Sequence, residues 1–219
     1  MTTQPKRALI VINVQHEFNA GQMPIEFPPL AISLHNIGRA IDHATAHAIP
    51  VIVAAAVLPE NAPVFQRGTE AVKLHQVITS RKHDLLIEKT LPSVFAEVDL
   101  ATWLRERGVD TVTVAGFTSN NCVESTVRDA VHRGFQAEFL SDATGTFAHA
   151  NRAGAVTAEE MQRAVCVSIQ SRYGAVATTE EWSGAVIADA PLPRDTPVIS
   201  RQKARELAHL HDTAAEPAH

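Results

Sequence analysis

The side chains best able to do chemistry in this 219-residue chain are a thiol, an amine and an amide. Cys122 follows Phe117-Thr-Ser-Asn-Asn and opens a helical stretch from about Val123 to Arg133, so it sits at a strand–loop–helix junction. A thiol there feels the positive end of the helix dipole and unpaired backbone N–H groups, which favour the nucleophilic thiolate. The same N–H groups can hold an oxyanion. A free cysteine is also often a small buried hydrophobe. That second reading fits Cys166, which falls among Ala164, Val165 and Val167 in a helix. Lys89 ends the run Asp84-Leu-Leu-Ile-Glu-Lys. At the carboxyl edge of a strand its ammonium would favour a thiolate and hold an anionic intermediate. Taken alone, such a lysine is more often solvated. Asn13 ends the first apolar run, at the edge expected for Cys122. An amide there orients a substrate by hydrogen bonds but does not accept a proton as a base.

The eleven histidines raise a metal hypothesis. His43 and His47 are spaced i, i+4 on one helix, a pair that can share a metal. No acidic partner flanks them as in a zinc protease, and His75 and His83 lie in an irregular stretch. Histidine pairs on helices are usually solvated, so the expectation is no metal. No Gly-rich phosphate loop is present, so no nucleotide cofactor is expected.

These residues need a scaffold. Ala8–Val14 and Val51–Val57 are short, continuous and rich in β-branched residues, as buried strands of parallel sheets are. Ala31–Ala48 carries an apolar helical face in Ile32, Leu34, Ile37, Ala40, Ile41 and Ala44. Leu100–Arg107 reads as a helix closed by Gly108. Further strands are expected at 84–89, 111–116, 137–143 and 175–179, a helix at 158–173, and irregular chain at 59–83. Strands alternating with helices predict an α/β three-layer sandwich with a mostly parallel central sheet and helices on both faces. Its site would lie at the carboxyl ends of the strands. Residues 1–187 form the expected main domain. Residues 188–219 shift to Pro, Ala, His and Arg and read as a tail, loose or packed on a neighbouring subunit, with a short helix near Arg201–His211.

The chain is 45% hydrophobic and 20% charged, close to ordinary globular usage. A net charge of −5 argues against nucleic acid as a partner. Two cysteines are too few for a disulfide framework. No secretory leader or membrane span is read, so a cytoplasmic location is expected.

Three segments carry a family resemblance: Ala8-Leu-Ile-Val-Ile-Asn-Val-Gln-His-Glu-Phe, Ile87-Glu-Lys-Thr-Leu-Pro-Ser-Val-Phe, and Val114-Ala-Gly-Phe-Thr-Ser-Asn-Asn-Cys-Val-Glu-Ser-Thr-Val-Arg-Asp-Ala. A fourth, Leu140-Ser-Asp-Ala-Thr, follows them. Their order and spacing, over roughly residues 6–185, resemble the isochorismatase-like cysteine hydrolases, among them nicotinamidases and N-carbamoylsarcosine amidohydrolase. The resemblance implies an Asp–Lys–Cys triad, with Cys122 as nucleophile and Lys89 as the triad lysine. It also implies a cis peptide at Phe117–Thr118, with the Thr118 and Cys122 N–H groups forming the oxyanion hole.

The family's aspartate position holds Asn13. That reads three ways: a change introduced to trap a complex, a natural variant in which Glu17, His16 or a water carries the proton, or a chain that has lost amidase activity. The nicotinamidase Asp-x-His metal pair is also missing, since Val53-Ala-Ala-Ala-Val-Leu-Pro stands in its place. The implied function is hydrolysis of a small amide, ureido or carbamoyl C–N bond. A binder of small carbonyl ligands without efficient turnover is the alternative, and isochorismate-type vinyl-ether hydrolysis, which does not need the cysteine, a further one. His16, Phe18, Phe65, Asn120 and Asn121 flank the catalytic segments and are the expected substrate contacts. The family habit implies a homodimer or homotetramer.

Overall fold

A computed structural model describes residues 4–214, with side chains through residue 207. Residues 1–3 and 215–219, the last of these part of the expected tail, lie outside the described residues. The first strand, β1 (Arg7–Ile12), is buried at all six positions. So are β2 (Val51–Ala56) and β4 (Thr111–Phe117). Burial on both faces is why these segments are continuously apolar rather than alternating. With β3 (Leu85–Lys89), β5 (Gln136–Gly145) and β8 (Ala175–Ala177) they form one six-stranded sheet in the order β3-β2-β1-β4-β5-β8. Every neighbouring pair is parallel.

Side-chain parity sorts the core into two layers. Leu9 and Val11 point to the face covered by α1 (Leu30–Ala46) and α6 (Thr179–Ile187), where they join Ile37, Ile41 and Trp182. Ala8, Ile10 and Ile12 point to the opposite face. There they meet Leu104 of α3 (Leu100–Glu106), Val127 of α4 (Glu124–His132) and Val165 of α5 (Ala158–Ser168). The predicted three-layer architecture is therefore present.

Chain direction across the sheet reverses between β1 and β4. From β1 the chain moves outward through β2 to β3; from β4 it moves the other way through β5 to β8. In open parallel sheets such a switch point opens a crevice at the carboxyl ends of the strands. Gly116 lets β4 close against β1 there. Its φ is 107°, and a Cβ on it would stand 2.0 Å from the Ile12 carbonyl oxygen.

Some elements differ from the sequence expectation. The stretch 59–83 contains a one-turn helix, α2 (Gln76–Thr79). A small antiparallel hairpin, β6 (His149–Asn151) and β7 (Gly154–Val156), follows β5. The helix expected over 158–173 ends as α-helix at Ser168, and Ile169–Tyr173 continues as a π-helical turn. Helix α6 was not anticipated, although the capping box of Thr178 and Glu181 marks its start. Beyond it, Leu192 packs on the core layer of α1 and α6, and Arg194 bonds to Gln136. The tail helix α7 spans Pro197–Ala214, and Val198 and Leu207 are exposed on it. No helix of the described residues is long and apolar enough to cross a membrane.

Candidate active site

Lys89 and Cys122 come from opposite sides of the switch point and meet over it. Lys89 shares the parity of Leu85 and Ile87, so it points to the face covered by α3, α4 and α5. Cys122 lies on that same face, in the π-helical turn Ser119–Val123 that leads from β4 into α4. Between them stand the ends of β1 and β2. β2 ends in Ala54-Ala55-Ala56, and the small side chains leave room for a long one from the neighbouring strand. Lys89 Nζ is 3.3 Å from Cys122 Sγ and donates to the Leu91 carbonyl at 3.0 Å.

Lys89 is 3% exposed. Among the described residues it forms no ion pair with a carboxylate. A buried ammonium needs a countercharge or strong acceptors, and the Leu91 carbonyl and the Cys122 sulfur are the groups its Nζ touches.

Hydrogen bonds hold the Lys89 and Cys122 segments together. Thr126 Oγ1 donates to the Cys122 carbonyl at 2.7 Å and accepts from the Val94 N–H at 3.2 Å. The Asp129 carboxylate accepts from the Ser93 hydroxyl at 2.7 Å. Glu97 accepts from the N–H groups of Thr90 and Leu91, fixing the turn that offers the Leu91 carbonyl to Lys89. These bonds hold the Glu97 carboxyl below the usual carboxylate range, the Thr90 side chain being the largest cause. The Phe117–Thr118 peptide is cis.

Asn13 follows β1 with φ of 52°, a left-handed conformation that asparagine tolerates better than most residues. It is 1% exposed. Its N–H donates to the Ala54 carbonyl at 2.7 Å, while its Oδ1 has no hydrogen-bond partner among the described residues.

The other expected contacts distribute as follows. Glu17 is 2% exposed and already engaged, accepting from the N–H of Gln22 at 2.7 Å and of Phe65 at 3.2 Å. It pins the loop after β1 to the loop after β2. Phe18 stacks edge-on with Phe65 and Phe117, all three buried in the core. The His16 ring lies 5.5 Å from that of His75. Asn121 is exposed. Asn120 is half-buried, accepts from the Thr146 hydroxyl at 2.7 Å and contacts His149 Nε2 at 3.1 Å. His43 and His47 stack on each other with ring centroids 4.1 Å apart. Among the described residues no three His, Cys, Asp or Glu side chains gather to hold a metal ion.

A shallow cavity of about 440 Å³ opens beside this turn, lined by Asn120, His149, Asn151, Val156 and Met161. Another, of about 350 Å³, lies at the far, amino end of the sheet beside Asp110, Gln136 and Arg194. No cysteine or lysine side chain lines that second cavity.

A family model described as the Isochorismatase domain matches residues 7–181. The chain belongs to the isochorismatase family. Among solved structures, a Burkholderia xenovorans LB400 protein described as a candidate isochorismatase superposes with a TM-score of 0.93 and is 46% identical, covering 94% of this chain and 100% of that one. An uncharacterized isochorismatase family protein of Bacillus subtilis, YddQ, is 30% identical over 177 residues, 80% of this chain and 97% of its own. The ureidoacrylate amidohydrolase RutB of Methylobacterium radiotolerans is 31% identical over 126 residues, 58% of this chain and 45% of its own. The family assignment makes the chain one of a group of hydrolases.

Several site-building residues of this family member escaped the sequence reading. Gln15 is the clearest: its amide accepts from the Ala56 N–H and donates to the Ala56 and Val72 carbonyls, joining β1 to β2 and the loop beyond. Gln15 stands just past β1 between Val14 and His16, in a polar stretch where nothing in the sequence singled it out. Thr126 and His149 carried no signal either, because the contacts that matter, Thr126 with Val94 and His149 with Asn120, join residues distant in sequence.

Proposed function

We propose that this protein hydrolyses the C–N bond of a small amide, ureido or carbamoyl compound through a thioester on Cys122. The observation that carries the reading is the 3.3 Å contact between Lys89 Nζ and Cys122 Sγ at the carboxyl ends of the strands. An ammonium at that distance stabilises negative charge on sulfur, and thiolate is the nucleophile. In this reading the N–H groups of Thr118 and Cys122 receive the oxyanion after attack. Asn120, with His16 at the loop edge, contacts the substrate, while Phe18 and Phe65 shape the floor beneath it. No cofactor enters the scheme. The likeness to RutB, an amidohydrolase of ureidoacrylate, favours the C–N class over vinyl-ether hydrolysis.

One observation favours a second reading. Asn13 has an orphaned Oδ1 and no titratable proton, as in a member that binds a small carbonyl ligand without efficient turnover. The test is product release from acetamide, nicotinamide, N-carbamoylglycine and ureidoacrylate, run on this protein, Asn13→Asp and Cys122→Ala. Turnover by the parent that is lost in Cys122→Ala supports the hydrolase. Turnover only in Asn13→Asp supports the binder, and turnover surviving Cys122→Ala sinks the thioester.

A further inference from the structure

We propose that Lys89 carries the proton in both half-reactions, giving it to the departing nitrogen and then taking one from the attacking water. The proposal rests on the amide-hydrolase reading of Cys122 and names the group that reading leaves open. Breaking an amide needs a proton on the leaving nitrogen, because an amide anion is too poor a leaving group in water.

The candidates reduce by elimination. Asn13 holds no transferable proton at neutral pH. Glu17 has both carboxylate oxygens engaged by backbone N–H groups, one to Gln22 and one to Phe65, and serves as a loop pin. His16 stands at the loop edge, its ring centroid 5.5 Å from that of His75, and among the described residues it makes no hydrogen bond to Cys122 or Lys89. Lys89 instead touches the reacting sulfur directly. Its ammonium has three protons. One is donated to Leu91 and one faces Sγ, which leaves the third for a group bound on the sulfur. The site also balances in charge without a third member, because a thiolate and an ammonium neutralise each other.

The steps close. Thiolate attacks the carbonyl carbon, a C–S bond forms, and the C=O π pair moves to oxygen. As that pair returns, the C–N bond breaks and nitrogen takes a proton from Lys89, so ammonia or an amine leaves. The products are a thioester and a neutral lysine amine. Water then adds to the thioester while giving a proton to that amine. The C–S bond breaks, the acid departs, and thiolate and ammonium are restored.

A phenolate ester separates proton transfer from charge, because p-nitrophenolate leaves without a proton. Lys89→Arg keeps the positive charge but cannot readily release a proton. The experiment follows the p-nitrophenolate burst from p-nitrophenyl acetate and steady turnover of the fastest panel amide, in the parent and in Lys89→Arg. The expected result is a burst rate within about tenfold of the parent, with amide turnover down ~10²-fold or more. The retained burst also reports that the variant is folded. Equal loss on ester and amide would mean that Lys89 acts only through charge or packing, and the proposal fails. Undiminished amide turnover in Lys89→Arg overturns it as well. A parent that shows the burst but hydrolyses no amide overturns the amide-hydrolase reading, and the carrier with it. That outcome is visible before any lysine variant is made.

Discussion

Two thiols in one chain have opposite surroundings. Cys122 sits 3.3 Å from an ammonium, whereas burial pushes the Cys166 thiol up to about 11. Iodoacetamide at pH 7.5 should therefore label Cys122 and leave Cys166 unlabelled, because at that pH a thiol titrating near 11 is almost wholly protonated. Peptide mass mapping of the alkylated protein reads the result directly. Labelling of Cys166 at a comparable rate would contradict the assignment. Asn13 belongs to the same scale. Its left-handed backbone asks for a short polar side chain, so Asn13→Asp can be exchanged without rebuilding the strand end, which makes it a fair probe of the site.

The loops that frame the site depend on caps and pins. His75 is the N-cap of α2, where its Nδ1 accepts from the Val77 N–H. That bond needs the neutral ring. Burial, and then the neighbouring His16, holds His75 below its ordinary value. The sign follows. A histidine depressed in the folded state contributes stability above its unfolded value, near 6.5, and loses it as pH falls through the folded value. His43, lowered first by burial and then by His47, acts in the same direction. Thermal midpoints should therefore fall between pH 7 and pH 5. His75→Asn, a neutral residue that still caps, should shrink that fall without removing it. An unchanged pH dependence in the variant would exclude His75 from the effect.

At the scale of the molecule, one buried network ties the sheet to the C-terminal segment. Arg7 of β1 pairs with Glu138 of β5 at 2.9 Å, both almost fully buried. Glu138 also accepts from the Thr113 hydroxyl at 2.7 Å and from Trp182 Nε1 at 3.1 Å. Arg7 donates to the Ala190 carbonyl at 2.6 Å, beyond the end of α6. Removing one partner strands the other charge in the interior, which typically costs about 3–5 kcal/mol. Glu138→Ala should lower stability by about that much in urea unfolding, and a loss below ~1 kcal/mol would show the network to be dispensable. The same bonds predict the behaviour of shortened chains. One ending at residue 195 keeps the Ala190, Leu192 and Arg194 contacts and should unfold at the parental midpoint. One ending at Ile187 loses all three and should unfold earlier. Gel filtration of the pair also tests whether α7 contributes to an oligomer.

Much of this was legible in the residues themselves. Runs such as Ala8–Ile12 and Val51–Ala56 read as strands buried on both faces, because they are short, continuous and apolar, and alternation with amphipathic helices then points to a parallel sheet. The order of the lysine and cysteine segments pointed to Lys89 and Cys122 as candidates. What sequence order could not supply was proximity. Lys89 and Cys122 meet because the chain switches direction between β1 and β4, and because small side chains close β2. Glu17 becomes a loop pin only once the N–H groups of Gln22 and Phe65 converge on it. The β6–β7 hairpin and α6 were missed since their short runs carry little periodicity, and α6 is held by packing on β5 and α1. Local pattern determined the elements and the candidates; three-dimensional packing decided which candidates touch, because contacts between distant segments exist only after the sheet has assembled.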